Sequence, residues 1–410
     1  METNLSRIRI TIEQLAQYND TPGRGITRFS YSEQDNAARL YLSDICKDIG
    51  LAVRTDAVGN MFARLVGSDS SLPPIMVGSH FDSVKHGGKF DGVAGVVSAI
   101  EVVRTLVENN FEPTCSIDVA FFAEEEGSNF NMPAFGSKAL VGALSEENLL
   151  SIRNNDGISA FEVIKKAGFK PENIAKDALQ KGEYRAMIEV HIEQSIRLES
   201  SGNSVGIVNG IAGLNWFEVV FEGQPNHAGA TPMHLRKDSM AAAGAVIAKV
   251  GGMARSVSST TVATVGKIES FPNIPNIIPG RVSFVVDIRD TLQENIDNVA
   301  MQLKSSVIEA AEDCNVSYSI EKIASNHCVA VPQYLVDIMV NSACKLRLDY
   351  ELMPSGAVHD ASNIADICDV GMIFLPSIGG RSHVPEENTE YTDIKVGADL
   401  LLAVLLKLAI

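Results

Sequence analysis

Four short apolar runs, at residues 74–78 (PIMVG), 116–123 (SIDVAFFA), 186–190 (AMIEV) and 371–375 (GMIFL), each lead into a histidine or a carboxylate. The first runs into His80, the second into Glu124, Glu125 and Glu126, and the third into His191. The fourth reaches His383 through a loop. Between the first two runs, Val93, Val96, Val97, Ile100 and Val103 repeat with helical spacing. Strand alternating with helix predicts an α/β layer architecture around a largely parallel sheet. Such sheets bind ligands beyond the carboxyl ends of their strands, which is where all four runs deliver their polar residues.

Between about residues 213 and 327 the pattern changes. Strand-like stretches at 216–221, 261–268, 281–288 and 316–320 alternate with helix-like stretches at 240–250 and 295–311. That order, β-α-β-β-α-β, is the ferredoxin-like unit. A chain of 410 residues is long for one core. The expected organisation is therefore a discontinuous catalytic domain, 1–212 and 328–410, with an inserted α+β domain over 213–327.

A net charge of −17 argues against nucleic acid as a partner, because phosphate binding needs clustered Lys and Arg. No apolar leader stands at the N-terminus. The most apolar run, 399–410, is too short to span a bilayer and carries Lys407, so a buried C-terminal helix is expected, with no membrane partner. Six cysteines without a C-x-x-C pair point to reduced thiols and a cytoplasmic address.

The chemistry concentrates on few residues. His80, His191 and His383, three of only eight histidines, stand beside carboxylates, with Asp91 and Glu126 completing the set. Three imidazoles and two carboxylates suffice for two metal ions if one carboxylate bridges. This donor mixture suits Zn²⁺ first, and also Mn²⁺, Co²⁺ or Ni²⁺. Two such ions about 3.5–4 Å apart activate a shared water near neutral pH. Asp82, two residues after His80, is placed to accept the other ring N–H and orient that ligand. Gly87, Gly88 and Gly92 allow a tight turn beneath the site. Taken singly, a histidine at a strand end is commonly a surface residue, and three consecutive glutamates are commonly a solvated face. The glycine-rich 86–92 loop lacks Walker spacing, and no G-x-S-x-G elbow supports a serine hydrolase.

The segments GSHFDSVKHGGKFDG, EEEGS, HIEQ, NHAGATPM, PNIIP and SHVPE resemble, in order, those of the M20 peptidase-like clan. Within it they are similar to the amidase branch of N-carbamoyl-L-amino acid hydrolases, allantoate amidohydrolases and dinuclear β-ureidopropionases. The resemblance implies an aminopeptidase-like catalytic domain with two metals and an inserted dimerisation or lid domain. His80 and His191 would hold one metal, Glu126 and His383 the other, and Asp91 would bridge. Glu125 would be the general base. His227 would stabilise the oxyanion, reaching the partner subunit's site, so that a homodimer is part of the mechanism. Asn276 and Arg289 match positions that bind a substrate carboxylate, and Gln194 a contact to the substrate amide. The sequence departs from the branch at Asn129, Ser195 and Val358; none removes a metal ligand or the base, and Asn129 and Ser195, close in sequence to site residues, touch substrate identity rather than chemistry. The implied reaction is hydrolysis of a small ureido carboxylate: an N-carbamoyl-L-amino acid, or alternatively allantoate. HIEQ argues against an aminoacylase or dipeptidase, which usually place a carboxylate ligand there. A non-catalytic binding protein on the same fold is the rival of another class.

Overall fold

Strand β1 (Ala52–Thr55) opens a sheet whose next members are β2 (Met61–Leu65), β3 (Ile75–His80), β4 (Ile117–Phe122), β5 (Ala186–Ile192) and β6 (Val205–Ile211). The computed structural model describes residues 1–410. Two compact units emerge: Met1–Asn209 with Val331–Met353 and His359–Ile410, and Gly210–Ala330 with Pro354–Val358.

The remaining strands are β7 (Gly213–Glu222), β8 (Asn226–His227), β9 (Val262–Phe271), β10 (Ile277–Ile278), β11 (Arg281–Asp290), β12 (Ser317–Asn326), β13 (Val329–Ala330), β14 (Tyr350–Ser355) and β15 (Asp369–Leu375). In the first unit the sheet runs β1-β2-β4-β3-β5-β15-β6, with β14 also on β6. Its centre, β4-β3-β5-β15, is parallel, while β2 and β6 join antiparallel. The sheet is thus mixed, with the expected parallel strands at its heart. Strands β3, β4 and β5 are buried along their whole length, the mark of a sheet covered on both faces. The helix Val93–Glu108 is buried from Val93 to Val103 without a break and packs against β3, β5 and the C-terminal helix Tyr391–Leu408. That last helix absorbs the apolar run at the end of the chain.

The second unit carries β7, helix Ser239–Val257, β9, β11, helix Gln293–Cys314 and β12. The sheet order β12-β7-β11-β9, antiparallel throughout, is that of a ferredoxin-like unit. Alternation sets its core: Val282, Phe284, Val286 and Ile288 of β11 meet Ala242, Val246 and Val250 of one helix and Leu303 and Val307 of the other. Asp238 starts the first helix by accepting from the amides of Met240 and Ala241. The Pro-rich connection between β9 and β11 contains one short strand unforeseen from sequence, β10, which pairs with β8 so that Ile277 lies opposite His227. No helix is long and apolar enough to cross a membrane.

Candidate metal centre

His80 is the last residue of β3 and is buried. Its Nδ1 faces the Asp82 carbonyl at 3.3 Å and the Asp82 carboxylate at 3.5 Å. The carbonyl can only accept, so Nδ1 carries a ring proton and Nε2 is the nitrogen that can present a lone pair. That nitrogen faces Asp91 Oδ1, 3.3 Å away. Gly92 makes the approach possible: its φ is +62°, and a Cβ there would lie 2.5 Å from three atoms of the His80 ring.

His191 lies inside β5 rather than after it, one residue before the strand ends. Its Nδ1 is 2.9 Å from the Ile192 carbonyl, so again the proton sits on Nδ1. Its Nε2 is buried, has no hydrogen-bond partner, and stands 3.2 Å from Asp91 Oδ1. His383, half-exposed, places Nε2 3.4 Å from Asp91 Oδ2 and 3.4 Å from Glu126 Oε2. Two donor groups result, His80–Asp91–His191 and Asp91–Glu126–His383, each with its ligand atoms within 4.8 Å of one another. They share Asp91, one oxygen to each. Imidazole nitrogens facing carboxylate oxygens need positive charge between them, supplied by a proton or a metal ion, and imidazole with carboxylate is a donor set that fits divalent metal ions.

The electrostatics make the same demand. Burial pushes the Asp91 carboxyl up, but His191, His383 and His80 outweigh it and hold it well below the usual range. Burial pushes Glu125 well above its ordinary value, and burial with the Asp91 charge carries Glu126 to about 8. The Asp91 hydrogen bond leads the rise of His383 to about 9. Burial lowers His80 and His191, yet the surrounding carboxylates, Glu125 first for His80 and Asp91 for His191, raise both overall. Carboxylates so crowded and so dry call for positive charge.

The three consecutive glutamates are not a solvated face. Glu124 is fully buried at a positive φ of 57°, and its Oε1 accepts from the amides of Asn129 and Phe130 at 2.5 and 3.0 Å. Glu125 places Oε2 3.7 Å from His80 Nε2, and Glu126 turns to His383. Asp82 organises this loop: its Oδ1 accepts from the Glu125 amide at 3.2 Å and its Oδ2 from the Glu126 amide at 3.1 Å. The carboxylate expected to orient His80 thus also holds the next loop: it stands 3.5 Å from His80 Nδ1, with the Asp82 backbone oxygen slightly nearer at 3.3 Å.

Sequence reasoning missed the support of Asp91. Glu387 Oε1 accepts from the amides of Phe90 and Asp91, both at 3.0 Å. Ser382 Oγ is 2.7 Å from Asp91 Oδ2 and 2.9 Å from Glu387 Oε2. A Cβ on Gly88 would lie 2.1 Å from the Glu387 carboxyl carbon, so that glycine admits the clamp. In sequence nothing separates Glu387 from its neighbour Glu386. Gln194, also at positive φ, donates from Nε2 to Asp91 Oδ2 at 2.7 Å. With Glu124 and His383, three non-glycine residues here hold left-handed backbone, a conformation that clusters at functional sites. His359 packs its ring edge-on to His191, centroids 4.5 Å apart. Asn129 donates its side-chain amide to the Ser30 carbonyl, and Ser195 is exposed.

The other expected residues lie in the second unit. His227 is exposed on β8, and its Nδ1 accepts from the amides of Gly229 and Ala230 at 3.0 and 3.1 Å. Asn276 is exposed beside β10, and its carbonyl accepts from the Ala228 amide. Arg289 lies on β11 with its guanidinium on Asp287. Val358, partly buried, ends the short 354–358 segment of that unit.

A mixed α/β sheet with imidazole and carboxylate donors gathered at its strand ends defines a metal-dependent hydrolase. The sequence profile of Peptidase family M20/M25/M40 matches residues 76–407, and the chain belongs to that family. It is 38% identical over 404 residues to an N-carbamoyl-L-amino-acid amidohydrolase of Pseudomonas sp. (strain NS671), covering 98% of this chain and 97% of the relative. It is 34% identical over 398 residues to an allantoate amidohydrolase of Bacillus subtilis, covering 97% and 96%. A solved hydantoinase/carbamoylase family amidase from Burkholderia multivorans superposes with a TM-score of 0.92 at 31% identity, over 100% of this chain and 98% of that one.

Proposed function

We propose that this protein hydrolyses the ureido C–N bond of a small carboxylate, with an N-carbamoyl-L-amino acid as the first candidate. The reaction consumes one water and yields the amino acid, CO₂ and ammonia. The observation that carries the reading is Asp91, whose two oxygens face different histidines beside the buried Glu125. His80 and His191 would hold one divalent ion and Glu126 and His383 a second, with Asp91 between; Zn²⁺ ranks first, and Mn²⁺, Co²⁺ and Ni²⁺ also suit the donors. Bound ions supply Lewis acidity that makes water a nucleophile near neutral pH.

The chain's own residues would do the rest. Glu125 takes the proton from the attacking water and returns it to the departing nitrogen. Its buried setting, which disfavours the charged form, suits a group that must hold a proton between the two steps. Asp82, on the Glu125 and Glu126 amides, keeps that base beside His80. His227 of a partner subunit stabilises the charge that develops on the carbamoyl oxygen, so the working enzyme is a homodimer assembled through the Gly210–Ala330 unit. Gln194 contacts the amide of the substrate, and Asn276 and Arg289 its carboxylate.

Allantoate offers the same carbamoyl nitrogen and carboxylate, and relatives of both names lie at similar identity. The retained Glu125 speaks against a non-catalytic binding protein. Ammonia release should be measured from N-carbamoyl-α-amino acids, N-carbamoyl-β-alanine, allantoate and N-acetyl amino acids, with each divalent metal. Turnover confined to the N-acetyl compounds, or to none, overturns the ureido reading.

A further inference from the structure

Strand β11 presents alternate residues to opposite faces. Val282, Phe284, Val286 and Ile288 take the helix side, so Asp287 and Arg289 project together from the other. On that face Asp287 lies opposite Trp216 of β7 and Thr264 of β9, and Arg289 opposite Leu214 and Val262. The Asp287 carboxylate grips one edge of the guanidinium: Nε donates to Oδ1 at 3.0 Å and Nη2 to Oδ2 at 2.8 Å. Nη1 donates to the Gly356 carbonyl at 3.2 Å. A cavity of about 80 Å³ adjoins Arg289, lined also by Thr260, Val262, Thr291 and Gly356.

A guanidinium has five N–H donors and more than one flat edge that can take a carboxylate. Asp287 takes the Nε–H and one Nη2–H and Gly356 takes one Nη1–H, which leaves one N–H on each of Nη1 and Nη2 for an incoming anion. Because the pair sums to zero charge, attraction for that anion comes from directed hydrogen bonds rather than from a bare cation. A second negative charge on the ligand then meets the Asp287 carboxylate without compensation.

We infer that Asp287 is the positioning and charge-setting residue of the substrate carboxylate subsite. It holds Arg289 for end-on reading of one carboxylate and disfavours dianionic substrates. This rests on the reading of Arg289 as the carboxylate-binding residue. In Asp287→Asn the amide NH₂ opposes an Arg289 N–H, so the guanidinium loses its fixed edge while the subsite gains net positive charge.

The metal-loaded enzyme is assayed for kcat and KM on N-carbamoyl-L-alanine, its carboxamide and N-carbamoyl-L-aspartate. For Asp287→Asn, KM for N-carbamoyl-L-alanine rises about tenfold, the scale of one misplaced charge-assisted hydrogen bond, while kcat holds within about twofold. KM for the carboxamide stays at the parental value, and the preference for N-carbamoyl-L-aspartate over N-carbamoyl-L-alanine increases. Asp287→Glu, which keeps the charge, leaves that preference parental. Equal losses on acid and carboxamide in Asp287→Asn mean a structural role and overturn the inference. An Arg289→Ala enzyme that loses acid and carboxamide alike overturns the Arg289 reading, and this inference with it. If Arg289→Ala selectively loses the acid while Asp287→Asn behaves as the parent, only the role of Asp287 falls.

Discussion

Asp82 is the residue on which the geometry of the centre turns, and replacing it by alanine tests that directly. Its two carboxylate oxygens accept from consecutive backbone amides, Glu125 at 3.2 Å and Glu126 at 3.1 Å, in a site where Asp82 itself is buried. Removing the acceptor orphans both N–H groups, at about 1–3 kcal/mol each, or roughly 2–6 kcal/mol together. At about 2–4 °C per kcal/mol for a domain of this order, the first unfolding transition should fall by roughly 5–20 °C. The loop is also freed to rotate, so Glu125 and Glu126 leave their places beside His80 and His383 and kcat falls with stability. Asp82→Asn is not a benign isostere here. Its oxygen can satisfy one amide, but its NH₂ opposes the other, so it should lose about half of the same stability. Thermal unfolding of the metal-free protein separates this backbone role from any effect on metal occupancy, and turnover of the loaded enzyme follows the catalytic consequence. A metal-free Asp82→Ala protein that melts with the parent would refute the argument.

Glu125→Gln should cut kcat by about 10²–10⁴-fold with metal content unchanged, and a near-parental rate would remove Glu125 as the base. Gly92→Ala puts a Cβ 2.5 Å from the His80 ring on left-handed backbone, so chelator competition should show metal affinity lower by about 10–100-fold; equal affinity would show that the ring has room. Asp56 has its carboxyl pushed by burial from 3.8 to about 6. Its folded form therefore binds the proton more tightly than its unfolded form: the contribution is fully present below about pH 4 and is lost as pH rises through 6. It amounts to about 3 kcal/mol, and urea unfolding across this window should show Asp56→Asn less pH-dependent by about that much; parallel curves would contradict it.

Much of the first unit was legible because burial on both faces leaves a strand as an unbroken apolar run. The runs at 74–78, 116–123, 186–190 and 371–375 became β3, β4, β5 and β15, displaced by a few residues at most. His191 shows why the ends were blurred: a histidine reads as a strand terminator, yet β5 runs through it because its ring faces Asp91 rather than water. The glutamate triplet was legible only in part: Glu125 and Glu126 read from sequence as site residues, while Glu124 shows no role there. Charge runs usually mark a solvated surface, and here Glu124 is held inside by two amides that only the folded loop brings to it. Short strands such as β8 and β10 left no mark, since two-residue pairings carry no periodicity.

The sequence by itself determined the residue types: three histidines and their carboxylates at the ends of apolar runs, a β-α-β-β-α-β stretch, and motifs shared with a metallo-amidase clan. Those are one-dimensional facts, carried by period, spacing and composition. Tertiary structure alone decided which atom faces which. It gave one Asp91 oxygen to His80 and His191 and the other to His383, set Asp82 on the Glu125 and Glu126 amides as well as beside His80, and closed Glu387 over the backbone of Asp91, nearly 300 residues away in sequence. It also set Asp287 against the guanidinium of Arg289. The physical reason is range. Hydrogen bonds and charge contacts act over a few ångströms, and only the parallel packing of β4, β3, β5 and β15 brings the residues that share Asp91 within that reach.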